Sequence, residues 1–400
     1  MGLFIDPPAW PAHGRVWSHL VSDSSIEELH AFAAAHGIPR RGFERDHYDV
    51  PADAYERLIA AGATVVSSRD VVRRLVDSGL RRPKRRAMAR RALGNELLRP
   101  RHLVSGDLVA IPATAGLVSP ERLAAGVARL ESWGLRVRVS RHVFDTHGDL
   151  TYLAGHDVDR ATDFEAAWAD PDVSAVMLAR GGYGTQRMLG LLDWKRLAEA
   201  EPKVLCGFSD VTALHQACAS RLGLVTIHSH VATSLGVAND SSVESLRQLV
   251  MEQAPALDLF AGSDVQVVVG GRSEGVLVGG NLALLVAEIG TPYSRPARGG
   301  LALLEDVTEE PYRIDRMLTQ LLRAGWFDGV AGVVLGQFTD CGDPALVDAV
   351  LVDRLAPLNV PLVKGFDFGH TPTATAVPLG VRAALNADRG TLRLRQPALD

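Results

Sequence analysis

Between His102 and about Leu235, short apolar runs alternate with stretches of helical length, and few folds satisfy that alternation. Leu108-Val109-Ala110-Ile111-Pro112 reads as a short buried strand and Pro120 to Trp133 as an amphipathic helix. Leu135 to Val139 is the next strand, Asp163 to Ala169 the next helix, and Ala175 to Ala179 a further buried strand. Strand and helix in alternation imply a parallel sheet with crossover helices. After about Leu235 the pattern changes. Val265 to Val269, Ser273 to Val278, Leu301 to Leu304 and Val330 to Leu335 read as strands with few helices between them, interrupted by a long helix from Ile314 to Arg323. A second, more β-rich subdomain is expected there.

The 400 residues exceed what one core usually holds. The expected organisation is a small α/β domain over 1–75, a basic linker over 76–102, a Rossmann-like subdomain over 103–235, a connecting segment over 236–264 and the β-rich subdomain over 265–400. In the first of these, Leu3-Phe4-Ile5 opens a strand, and Ser24-Ser25 followed by Glu27-Glu28 marks the start of a helix ending near His36. Ala60 to Val66 suggests a strand feeding another helix. The linker carries Arg81-Arg82-Pro83-Lys84-Arg85-Arg86 and Arg90-Arg91. It is either a solvated helix or a phosphate contact. With no aromatic residue interleaved to stack on bases, nucleic acid is not expected as a partner.

Composition narrows the class further. Hydrophobic residues make up 47% and charged residues 22%, with a net charge of −5, as in ordinary globular proteins. The three cysteines, Cys206, Cys218 and Cys341, are too scattered for a disulfide framework or a zinc cluster. The N-terminus lacks the pattern of a secretory signal, and no apolar run reaches the roughly 18 residues of a membrane helix. A cytoplasmic protein without a membrane partner is the expectation.

Chemistry concentrates at a few turns. Lys203 to Gly207 is a strand and Asp210 to Ala217 a helix, so Ser209 sits in the turn between them. A serine there is exposed at the C-terminal edge of a sheet, with free N–H groups behind it. It can serve as a nucleophile or as a helix cap, and Val211 stands where a full nucleophile elbow has its second glycine. Arg180-Gly181-Gly182-Tyr183-Gly184 follows another strand. It is a ligand loop or a tight turn, and no lysine-serine or lysine-threonine pair follows to make a nucleotide P-loop. Glu305 ends the apolar strand 301–304, and His370 lies in the loop Gly369-His370-Thr371-Pro372. Each alone reads equally as polar surface. Together, Ser209, Glu305 and His370 have the three chemical types of a triad.

These motifs recur together. Arg180 to Gly184, Gly207 to Leu214, Gly279-Gly280-Asn281-Leu282, Leu304 to Val307, Pro311-Tyr312-Arg313-Ile314-Asp315-Arg316-Met317-Leu318 and Gly369-His370 stand in the order of one family. Residues 103 to 395 closely resemble the LD-carboxypeptidases, also called muramoyl-tetrapeptide carboxypeptidases. The resemblance implies a Rossmann-like subdomain followed by a β-rich one, and a Ser209–Glu305–His370 triad in the cleft between them. It implies an oxyanion hole from the N–H groups of Gly182 and Asp210. The matching segments put Gly181, Tyr183, Asn281, Tyr312 and Arg313 at the substrate. No cofactor or metal is implied, and members are commonly homodimers. They remove the terminal D-alanine from a murein-derived tetrapeptide, a cytoplasmic step of cell-wall recycling. A related branch, the microcin-immunity peptidases, cuts a peptide-nucleotide-type amide. Where many members have His-Gly-Pro, this chain has His228-Ser229-His230, which alters one wall of the pocket.

The first 75 residues resemble a small bacterial domain of unknown function through Asp6-Pro7-Pro8-Ala9-Trp10, Ser18-His19-Leu20 and Asp46-His47-Tyr48-Asp49. Asp6, His13, His19, Asp46, His47 and Asp49 are ligand types of a hard or borderline metal. His13, His19, Asp46 and His47 are the candidate ligands, against a reading as hydrogen-bonded structural residues. A metal- or nucleotide-binding regulatory module is the alternative role for this part of the chain.

Overall fold

The computed structural model describes residues 2–12, 15–44, 46–78, 80, 97–252, 257–261 and 265–400. The basic clusters at 81–86 and 90–91 therefore lie outside the described residues. The chain divides into two compact units, Met1–Ala87 and Met88–Asp400.

The first unit is a small sheet with helices packed on it. Its strands are Leu3–Ile5 (β1), Trp10–Ala12 (β2), Arg15–Ser22 (β3), Phe43–Glu44 (β4), His47–Pro51 (β5) and Thr64–Val65 (β6), in the order β4-β5-β3-β1-β6 with β2 beside β3. Ser25 caps the helix Ile26–Ala35, its side chain accepting from the Glu28 N–H, as the serine pair and acidic first turn predict. Leu20, Tyr48 and Val50 bury one sheet face against Leu29, Ala33, Ala54 and Leu58 of the two helices Ile26–Ala35 and Ala52–Ala60. Phe4 and Val21 pack instead with Val71 and Leu75 of the helix Ser68–Asp77.

The second unit holds two sheets. Leu108–Ile111 (β7), Arg136–Val139 (β8), Val173–Met177 (β9), Val204–Gly207 (β10) and Thr226–His228 (β11) are parallel and stand in the order β8-β7-β9-β10-β11. In order of appearance that is 2-1-3-4-5, a doubly wound sheet whose direction of winding reverses between β7 and β9. Ligands bind in α/β sheets at that crevice beyond the strand ends. The loop Arg180–Gly184 follows β9, and Ser209 follows β10.

The second sheet contains Asp258–Ala261 (β12), Gln266–Val269 (β13), Arg272–Asn281 (β14), Gly300–Val307 (β15), Gly332–Thr339 (β16) and Leu362–Lys364 (β17). Val377–Leu379 (β18) runs antiparallel to β11 and completes the first sheet, whereas Arg382–Asn386 (β19) and Thr391–Leu394 (β20) return to the second. The order there is β12-β20-β19-β14-β15-β16-β17-β13, with β14 to β17 parallel. Between these parallel strands lie the helices Leu282–Ala287, Pro311–Arg323 and Pro344–Leu355. Only the second is read from the sequence; Pro344–Leu355 is not, and Leu282 to Ala287 is apolar throughout, a short unbroken run with no period to distinguish helix from strand. One core cluster draws residues from both sheets, among them Val109, Ala175, Leu277 and Leu303. Among the described residues, no helix is long and apolar enough to cross a membrane.

Candidate active site

The turn after β10 holds Ser209 with φ of +63°, a left-handed backbone that a non-glycine residue adopts only where its surroundings enforce it. The short helical turn Ser209–Val211 takes no side-chain cap, and neither does the helix Thr212–Ala217. The capping role open to a serine in this turn is thus not what Ser209 performs. Its side chain meets the glycine loop. A Cβ added at Gly181 would stand 2.9 Å from Ser209 Cβ and 3.1 Å from its Oγ, so only glycine lets the two loops close on each other. The neighbouring Asp210 ties them together: its buried Oδ2 accepts from the Thr185 N–H at 2.8 Å. Burial pushes the Asp210 carboxyl up from its ordinary value.

Glu305 lies near the end of β15 with no exposed surface, where the pairing with β16 slips between Leu304 and Asp306. Such irregularities re-aim side chains. Glu305 Oε2 accepts from His370 Nδ1 at 2.7 Å, across 65 residues of sequence. Its Oε1 faces His228 Nε2 at 3.8 Å. Burial alone would raise the Glu305 pKa, but the two imidazoles, His228 and His370, carry it instead down to about 2. It is a carboxylate at neutral pH. The His370 ring packs on Phe208, the residue before Ser209, with 4.7 Å between centroids. With Nδ1 committed to Glu305, Nε2 is the ring nitrogen left for proton transfer.

Gly369 makes the Glu305–His370 contact possible. Its φ is +112°, and a Cβ there would fall 2.8 Å from Glu305 Oε2 and 2.9 Å from Glu305 Cβ. Gly369→Ala is expected to cost about 2–4 kcal/mol through backbone strain and the displaced carboxylate. A urea midpoint measured beside that of the wild type checks this; an unchanged midpoint would mean that the loop yields freely.

The sequence puts the segment His228-Ser229-His230 on a pocket wall and carries no signal for His215. The structure gathers all three histidines behind Phe208. His215 Nε2 bonds the Gly207 carbonyl at 2.9 Å. His230 bonds Ser234 Oγ at 3.1 Å through Nδ1 and Ser242 Oγ at 2.9 Å through Nε2, and Ser242 in turn donates to the Ala374 carbonyl. Burial and the nearby His228 push His215 down to about 3 and His230 to about 4, so both are neutral at pH 7. They hold the strand end and the loop after His370 in place. Asp306, next to Glu305, accepts from the Asn281 side chain and from the N–H groups of Ala283 and Val307; burial pushes it up to about 6.

The remaining predicted substrate contacts fall in two places. Asn281 is buried, its amide donating to Asp306 while its oxygen caps the helix Leu282–Ala287 at Leu284 N–H. Tyr183 is half-exposed beside Tyr152, at 6.0 Å between rings. Tyr312 and Arg313 lie in the first turn of the helix Pro311–Arg323, Tyr312 under Arg316 and Arg313 paired with Glu309.

In the first unit, His13 lies outside the described residues. His19 and His47 come together, ring centroids 5.0 Å apart, and Asp49 joins them. Asp46 bonds His47 Nδ1 at 2.7 Å instead of facing the space between the rings from the Nε2 side.

Residues 109–229 match the LD-carboxypeptidase N-terminal domain and residues 274–385 the LD-carboxypeptidase C-terminal domain. Residues 3–78 match a family of proteins of unknown function, DUF4031. A putative carboxypeptidase of Streptomyces coelicolor is 52% identical over 303 residues, covering 75% of this chain and 97% of that protein. The murein tetrapeptide carboxypeptidase of Pseudomonas aeruginosa is 36% identical over 292 residues, 70% of this chain and 94% of its own. Among solved structures, the muramoyltetrapeptide carboxypeptidase of Oxalobacter formigenes superposes with a TM-score of 0.61 at 29% identity, covering 72% of this chain and 97% of that one. The microcin C7 self-immunity protein MccF shares the fold, with a TM-score of 0.70 at 23% identity over 76% of this chain and all of its own.

Proposed function

Because the chain belongs to the LD-carboxypeptidase family of serine carboxypeptidases, we propose that it releases the terminal D-alanine of a murein-derived tetrapeptide. The observation that carries this reading is Ser209, held at a strained φ next to Phe208, whose ring packs on a His370 already bonded to buried Glu305. His370 Nε2 takes the hydroxyl proton as Ser209 Oγ attacks the carbonyl carbon of the third residue. The tetrahedral oxyanion is received by the N–H groups of Gly182 and Asp210, from the two loops that the Asp210–Thr185 bond ties together. Collapse breaks the amide bond, and His370 returns its proton to the departing D-alanine amine. Water, deprotonated by the same imidazole, then hydrolyses the ester and frees Ser209. Ionised Glu305 holds the imidazole in the tautomer with Nδ1–H and offsets the charge it gains.

The chemistry needs no cofactor from these residues. In the cell the proposed setting is cytoplasmic peptide recycling, and the proposed assembly is a homodimer, which light scattering checks as twice the 42.9 kDa of the chain.

Incubation with murein tetrapeptide is expected to yield tripeptide and one D-alanine per turnover, measured by chromatography or a D-alanine assay. An aminoacyl-nucleotide conjugate serves as the competing substrate. Hydrolysis of the conjugate alone would assign the protein to the microcin-immunity type of reaction and overturn the murein reading.

A further inference from the structure

We propose that His19, His47 and Asp49 form a binding site for a borderline divalent transition metal ion, with Zn²⁺ as the reference ion. The site arises from strand register. Residues of β3 and β5 that stand opposite each other share a sheet face, as do residues two apart on one strand. His19 pairs directly with Asp49, and His47 lies two residues before Asp49 on the same strand. All three side chains therefore leave one face, while Leu20, Tyr48 and Val50 leave the other into the core.

The orientation of the imidazoles is fixed from behind. His19 Nδ1 contacts Asp6 Oδ2 at 3.0 Å, and His47 Nδ1 contacts Asp46 Oδ1 at 2.7 Å. Asp6 is wholly buried, and the same oxygen also accepts from Ser68 Oγ at 2.6 Å and Trp10 Nε1 at 3.3 Å. A carboxylate on Nδ1 sets the tautomer and leaves the Nε2 lone pair facing outward, which is the outer-shell arrangement of metal-bound histidines. Both Nε2 atoms then converge on Asp49 Oδ1, from 3.4 Å for His47 and 3.9 Å for His19. The ligand atoms of all three residues lie within 4.8 Å of one another. Two ligands of a tetrahedral ion at ~2.1 Å are themselves about 3.4 Å apart; the 3.4 Å of His47 meets that spacing and the 3.9 Å of His19 is longer, so His19 would draw in on binding.

With both imidazoles neutral, two outward lone pairs opposite a carboxylate are three acceptors with no donor, and they repel unless a proton or a metal cation sits among them. A contact of 3.9 Å is also beyond hydrogen-bond reach. Two nitrogens and one carboxylate suit zinc and its first-row neighbours better than magnesium or calcium, which take oxygen ligands. Three protein ligands leave a tetrahedral position for water or a substrate oxygen, the open form of a Lewis-acid centre. Asp49 is 40% exposed, so that position is reachable from solvent.

The test is calorimetric titration of ZnCl₂ into the full-length, chelator-stripped protein. One ion per chain is expected. His47→Ala and the isosteric, half-exposed Asp49→Asn should each weaken binding at least about 100-fold, and Asp6→Asn about 10- to 100-fold through the loosened imidazole. His370→Ala should leave the affinity unchanged, which separates this site from the histidines of the second unit. Circular dichroism establishes that each variant is folded. Absence of binding to the wild type, or the same affinity in wild type, His47→Ala and Asp49→Asn, would overturn the proposal. Tighter binding of Mg²⁺ than of Zn²⁺ would overturn the assigned class of ion.

Discussion

Ser209→Ala is expected to abolish D-alanine release while leaving the protein folded. Removing a serine nucleophile that acts as one unit with its base costs on the order of 10⁵- to 10⁶-fold in kcat, because the partners left behind have nothing to activate. Ser209→Gly sharpens the test. Glycine accepts a φ of +63° without the penalty that a side chain pays, so this variant should be as inactive as Ser209→Ala yet more stable than the wild type by about 1 kcal/mol. Loss of function with gain of stability is the signature of strain kept for chemistry. A capping serine predicts the reverse: turnover intact and stability reduced by about 1 kcal/mol in the alanine variant. Turnover and urea unfolding of both variants, measured in parallel, decide between them. Residual activity above about one part in a thousand would sink the nucleophile assignment.

The two kinds of residue in this site differ in how far the sequence exposes them. Ser209 and the loop Arg180–Gly184 are legible because each immediately follows a buried strand, and β9 and β10 lie where the alternation of strand and helix puts them. Local pattern is enough to find them at the C-terminal edge of the first sheet. Glu305 and His370 are legible only through the family's motif order. Nothing local says that a histidine in a glycine-rich loop meets a carboxylate 65 residues earlier. That contact depends on the irregular pairing of β15 with β16 and on the φ of Gly369. His228 is farther still from local inference, since it ends a strand of the first sheet and faces a carboxylate on a strand of the second. The return of β18 to the first sheet also has no local signal, because three residues carry too little pattern to name their neighbour. In the first unit, residue types pointed to metal chemistry, but only the β3–β5 register distinguishes Asp49, which faces the two Nε2 atoms, from Asp46, which stands behind His47.

Glu305→Gln is the second large effect, and it tests charge separately from shape. Glutamine keeps the volume and can still accept from His370 Nδ1, so the fold should survive. What it loses is the negative charge that steadies the imidazolium, and its amide group can hold the ring in the wrong tautomer. Loss of about 10⁴-fold in kcat is expected, with little change in KM. The pH dependence supplies an independent readout. Glu305 has its folded pKa depressed to about 2 from an ordinary 4.5. A depressed carboxylate contributes stability that is fully present above its unfolded pKa and is lost as pH falls through the folded one. The wild type should therefore lose stability on the order of a few kcal/mol from this group between pH 4.5 and 2, and Glu305→Gln should lack that component. The difference between their unfolding free energies should thus narrow as the solution is made acidic. Activity within tenfold of the wild type would remove Glu305 from the mechanism. A stability difference that stays constant across that acid range would show that the two imidazoles do not hold its charge.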